Sequence, residues 1–155
     1  RDRSVSRGLG DVYKRQGFTN KEFILELGCY LVASAGYYLS KIVDIKESKG
    51  YKHIILAGGL NHIPTATLNG KHPFKIISMN QKKLYANQIE VIDEIVDIDG
   101  PLCTAEDKVL WDVYVEKAQI GDIVIIRQAG AYCYSAAWLE FLSHEYPVEL
   151  IINNK

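Results

Sequence analysis

Three cysteines, one methionine and four prolines in 155 residues leave several architectures without their usual materials. Cys29, Cys103 and Cys133 are odd in number, far apart and without a C-x-x-C pair, which argues against a disulfide framework or a zinc knuckle. Such thiols fit a reducing compartment, so the cytoplasm is the expected location. No apolar run approaches the ~20 residues that cross a bilayer, and no charged-then-apolar leader opens the chain, so neither a membrane nor export is expected. The four histidines include no i,i+4 pair, and no residue is assigned as a metal ligand.

Charge of one sign is also scarce. The net charge is -1, and residues 1–16 hold five basic against two acidic groups, so the remainder has 13 positive and 17 negative groups, a net of -4. A mildly acidic body gives nucleic-acid binding through a basic face no support. Residues 1–16 show no sustained periodicity and too few apolar residues to bury anything. They resemble translated adapter sequence more than the start of a domain, and a disordered tail is expected there. A polyanion-binding arm is the competing reading. On the adapter reading, the native sequence is expected to run over 17–155 as a single domain, with its upstream part missing.

What is abundant is Ile and Val in short runs between turn residues. Extended segments are expected at 37–45, 52–57, 74–79, 90–98, 122–127 and 148–152, with 48–50 turning the first into the second as a hairpin. The compact apolar run YLVASA at 30–35 precedes them and is also expected to be extended. Strands at this spacing predict a mainly β fold, a β-barrel or sandwich. Two short helices interrupt it: one over 105–110 after the T-x-x-acid capping pattern of Thr104 and Asp107, and one over 135–142.

Three segments carry chemistry. ELGCY at 26–30 opens the body, GPLCTAED spans 100–107, and AGAY at 129–132 follows the GDIV run at 121–124. In order and separation they resemble the E-P-G-R-Y/F, G-P-x-C-x-x-x-D and G-A-Y motifs of the pyridoxal-phosphate-dependent ornithine, diaminopimelate and arginine decarboxylases, which share an alanine-racemase-like fold. The resemblance covers about residues 22–152 and identifies the chain as the C-terminal β-domain, with the lysine-bearing barrel missing. FLSHEYP, AGGLNHIPTA and HPF are more like a branch tied to siderophore or carrier-bound precursors.

The resemblance implies pyridoxal 5'-phosphate as cofactor and a small amino-acid-like substrate. Glu26 matches the carboxylate that keeps the pyridine nitrogen protonated. Gly28 stands with it as cofactor-binding, and Tyr132 matches the tyrosine that hydrogen-bonds the phosphate. Cys103 is the catalytic candidate, a thiol that reprotonates the substrate carbon after decarboxylation, expected at the start of a helix where thiolate is stabilised. In the family the matching cysteine serves the neighbouring subunit's site, which implies a homodimer with shared sites. Thr104 and Asp107 are the substrate-binding candidates, Asp107 having a helix cap as its simpler role.

Each has a plain alternative: a solvent-facing glutamate, a buried small hydrophobe for Cys103, and a core or interface tyrosine. His62, His72 and His144 are further pocket candidates, though lone histidines are more often surface or hydrogen-bonded core groups. Two departures bear on function. Cys29 replaces the arginine that would clamp the phosphate through a charged fork. Thr104 replaces the acid that holds a distal amine, so the expected substrate lacks a free amine there or binds differently. The competing functions are a non-catalytic β-barrel binding module and a related racemase, which would lack GPxCxxxD.

Overall fold

The computed structural model describes residues 15–17, 24, 26–64, 72–79 and 88–153. Most of the expected tail, residues 1–14, lies outside them. A short helix α1 (Gly28–Val32) runs into a 3-10 turn (Ala33–Ala35), followed by strands β1 (Tyr37–Ser48), β2 (Tyr51–Leu56), β3 (Phe74–Ile77), β4 (Val91–Asp99), β5 (Lys108–Ala118) and β6 (Ile123–Arg127). The strands form one nearly closed, barrel-shaped sheet in the order β3-β6-β1-β2-β4-β5. The mainly β expectation holds. No helix among the described residues is long and apolar enough to cross a membrane.

The β1–β2 hairpin turns through Lys49 and Gly50 with φ of 54° and 77°. Two left-handed residues make the primed turn whose twist suits flanking strands, and the polar Ser48-Lys49-Gly50 step announces it. All neighbouring strands pair antiparallel except β2 with β4, which run parallel with His53 opposite Asp97 and Ile55 opposite Asp99. The ends of β2 and β4 therefore emerge together, beside the starts of β1 and β5 and the end of β6.

Alternation supplies the core. Ile42, Ile54, Leu56, Val96, Ile98 and Ile126 are fully buried, and each comes from a strand that turns its other face outward. β4 departs from alternation, with Val96, Asp97 and Ile98 all buried. Here the β4–β5 register shifts between Val96 and Ile98, setting Trp111 and Asp112 against the single residue Asp97. Asp112, at φ 52°, donates its amide to the Asp97 carboxylate at 3.0 Å, so the bulge is filled by a side-chain acceptor.

Four expectations change. No helix covers 105–110: residues 103–106 form turns and β5 begins at Lys108, because the alternating residues 108–118 find a partner in β4. That strand was not anticipated. YLVASA lies in α1 and its 3-10 extension rather than in an extended run. Residues 135–142 form turns, with only a 3-10 turn at Phe141–Ser143. Residues 148–152 join no strand, and Val148, Leu150, Ile151 and Ile152 stay exposed.

Asp97 also pairs with the Lys108 ammonium across β4 and β5. Burial alone would raise the Asp97 carboxyl, but the Lys108 hydrogen bond, the Asp112 amide and nearby positive charge outweigh it and hold the group below its usual value. A carboxyl whose folded pKa is depressed stabilises the fold at neutral pH and loses that contribution as pH falls through the folded value, below about pH 4. Lys108→Met should cost roughly 1–3 kcal/mol at neutral pH, because Asp97 stays buried while its cation goes. Urea unfolding at neutral and acid pH should show the wild-type advantage shrinking on acidification.

Candidate active-site rim

The ends of β2, β4 and β6 and the starts of β1 and β5 share one end of the barrel, and the three motif segments hang from them. AGAY follows β6, and α1 leads into β1. Their junction is tight: Gly130 donates its amide to the Ala33 carbonyl at 3.0 Å, and Ala129 donates to Gly36 at 3.0 Å. A Cβ on Gly130 would collide with the Val32 carbonyl, and one on Gly36 with the Gly130 backbone. Only glycine at both positions lets the two segments close.

Tyr132 has φ 63°, a left-handed conformation uncommon for a bulky side chain. Its ring is 56% exposed, and its hydroxyl lies over Gly28, where an added Cβ would come within 3.0 Å. Gly28 and Tyr132 thus meet. Glu26 stands two residues before Gly28 with its side chain exposed, and Cys29 next to it is exposed as well.

GPLCTAED connects β4 to β5 on the same rim. Cys103 is exposed, in place of the buried small hydrophobe that is the usual fate of a cysteine. No helix follows it, so helix-end stabilisation of its thiolate does not apply. Thr104 hydrogen-bonds the Glu106 carboxylate through its hydroxyl. Asp107 is buried: Oδ1 accepts the Leu60 amide at 2.6 Å and Oδ2 the Leu102 amide at 2.7 Å.

Tyr38 and His62 tie the neighbouring turn to the sheet. The His62 Nε2–H donates to the Glu145 carbonyl at 2.8 Å, so in the neutral ring Nδ1 is free to accept the Tyr38 hydroxyl at 3.0 Å. Burial pushes Tyr38 up to about 12; a bond to Ser40 opposes this and the Asp107 charge adds to it. His72 bonds the Arg127 carbonyl at 3.1 Å. Both histidines are thus engaged by protein groups.

A groove of about 710 Å³ beside the Cys103 loop was not anticipated; Glu106, Lys108, Trp111, Asp112 and Trp138 help to line it. Both tryptophans of the chain contribute, though they lie 27 positions apart and only the fold joins them. His53, Asp97 and Asp99 also gather within 4.8 Å. Their contacts are internal, His53 to Asp99 at 2.8 Å and Lys108 to Asp97. The D-x-D step before GP was the available signal.

A domain described as the pyridoxal-dependent decarboxylase C-terminal sheet domain matches residues 29–130. The chain belongs to this family. Similar proteins include the L-glutamyl-BtrI acyl-carrier protein decarboxylase of Niallia circulans, 34% identical over 142 residues, covering 88% of this chain and 32% of that one. The 2-((L-alanin-3-ylcarbamoyl)methyl)-2-hydroxybutanedioate decarboxylase of Staphylococcus aureus is 31% identical over 124 residues, 79% of this chain and 31% of its own. The crystal structure of diaminopimelate decarboxylase from Methanocaldococcus jannaschii in co-complex with L-lysine superposes with a TM-score of 0.61 at 29% identity, over 77% of this chain and 25% of that one. This decarboxylase domain spans about a third of the length of the curated relatives it matches.

The exposure of its thiols is directly measurable. A thiol reagent should modify Cys29 and Cys103 of the folded decarboxylase domain quickly and Cys133, 8% exposed, only on unfolding. Mass mapping of the labelled peptides checks the order.

Proposed function

We propose that this domain completes a pyridoxal-phosphate-dependent amino-acid decarboxylase whose substrate is an acylated or carrier-borne amino acid instead of a free diamine. The observation that carries the reading is an exposed Cys103 on the GPxC loop at the barrel end that also bears the Gly28–Tyr132 contact. The lysine and phosphate loop belong, in this reading, to the part of the relatives' length that the chain does not span.

The donors here fit the edge of a phosphate-bearing cofactor. Tyr132 is exposed, and its hydroxyl, seated over the Gly28 backbone, can donate to a phosphate oxygen. The exposed Glu26 carboxylate can accept the pyridinium N–H. Cys29 brings no positive charge, so the phosphate relies on other groups. When bound, pyridoxal phosphate supplies the electron sink that lets a carboxylate depart. The bond from the α-carbon to the carboxylate breaks, carbon dioxide leaves, and Cys103 passes its thiol proton to that carbon before taking another from water.

Thr104 selects against a distal amine. Its hydroxyl carries no charge and is engaged by Glu106. Two relatives support this, since a glutamyl group on a carrier protein and a carbamoyl-linked alanine present no free distal amine, whereas other relatives are diaminopimelate decarboxylases. A cytoplasmic homodimer in which Cys103 serves the partner's site completes the proposal.

In the intact enzyme, Cys103→Ala should lower kcat by roughly 10²–10⁴-fold while cofactor absorbance is retained. Unchanged turnover would remove Cys103 from the reaction. Carbon dioxide release from a carrier-bound glutamyl group should exceed that from diaminopimelate by at least about tenfold in kcat/KM. The reverse preference would overturn the substrate assignment.

A further inference from the structure

Asp107 is a buried carboxylate that the proposed reaction does not touch, and its surroundings are unusually complete. One oxygen takes the amide of Leu60, in the Gly58–Gly59–Leu60–Asn61 turn after β2, and the other takes the amide of Leu102, in the loop after β4. Its main chain closes the same loop. The Asp107 carbonyl accepts the Gly100 amide at 2.8 Å, and the Asp107 amide donates to Thr104 at 3.3 Å. Gly59 and Gly100 flank the carboxylate, and a Cβ on either would collide with it.

From these contacts we infer that Asp107 is a positioning residue, a staple between the two turns that fixes where Cys103 and Thr104 stand. An eight-residue surface loop left to itself samples many conformations. Two charge-assisted bonds accepted by one carboxylate restrict it, one from Leu102, the residue before Cys103, and one from Leu60 in the neighbouring turn. Leu102 is drawn in and buried, and Cys103 is turned out. The arrangement is costly. Burial raises the Asp107 carboxyl, the two amides oppose that, Asp99 adds to it and His144 opposes it. A fold that needed only to end a loop could do so with a neutral side chain, and the site retains a desolvated acid between two glycines.

The catalytic value of the staple rests on the reading of Cys103 as proton donor; its existence does not. The test uses the whole chain with Cys29→Ala as background, so that Cys103 is the one exposed thiol among the described residues. Asp107→Ala removes both acceptors. Asp107→Asn keeps the shape but turns an N–H toward one of the two amides, and it carries the test should the alanine variant fail to fold. Amide exchange at Leu60 or Leu102 should accelerate roughly ten- to hundred-fold, while Val96 and Leu110 in the core keep their protection. The alkylation rate of Cys103 should shift by at least about threefold, as expected for an altered thiol environment.

Protected loop amides and an unchanged alkylation rate in Asp107→Asn would overturn the staple. So would equal loss of protection at Val96 and Leu110, which marks a general loss of stability. In the intact enzyme, Asp107→Asn should lower kcat more than it raises KM and should add little to Cys103→Ala. A loosened loop with wild-type kcat would leave the staple standing and defeat the proton-donor reading instead. A lower kcat with the loop amides still protected would make Asp107 a direct substrate contact and overturn its positioning role.

Discussion

The parallel pairing of β2 with β4 is the constraint from which the rest of the rim follows. Every other pair in the sheet is antiparallel, so consecutive strands would ordinarily put successive turns at opposite ends. Setting His53 beside Asp97 and Ile55 beside Asp99 makes both strands end together. The GGLN turn and the GPLC loop are then close enough for one carboxylate to hold both. With the register moved by one residue, each buried isoleucine of these strands would face solvent, so core packing and loop placement are specified by the same alternation.

Two motif aspartates do similar work at different places. Asp107 joins Leu60 to Leu102, and Asp122 of the GDIV run accepts the amides of Gln119 and Met79, both at 3.0 Å. Both are buried, and both spend their oxygens on backbone N–H groups of neighbouring turns and loops. Glu26, Cys103 and Tyr132 are left exposed, which suits the proton-transfer and phosphate-binding roles proposed for them. Buried acceptors that hold loops and exposed polar side chains divide the rim between them.

Much of this was legible in the residues. Alternating Ile and Val marked five of the six strands, and Lys49-Gly50 marked the hairpin. The three motifs were found by their order and separation, which resemble those of the decarboxylase family. β5 was hidden because Thr104 and Asp107 have the spacing of a capping box, and nothing local reveals that Asp107 bonds instead to a turn 47 positions away. The exposed Tyr30, Leu31 and Val32 hid α1, since a helix that buries no face shows no 3.6-residue pattern. The left-handed Tyr132 and the meeting of Trp111 and Trp138 in the lining of one groove are products of tertiary closure and leave no mark in the chain.

The most direct test of this account is scalar coupling across hydrogen bonds, measured by nuclear magnetic resonance on the labelled domain. The amide nitrogens of Leu60 and Leu102 should both couple to the single carboxyl carbon of Asp107. Coupling from neither amide, or from these amides to different acceptors, would contradict the claim that one buried carboxylate joins the ends of β2 and β4 and sets the loop that presents Cys103.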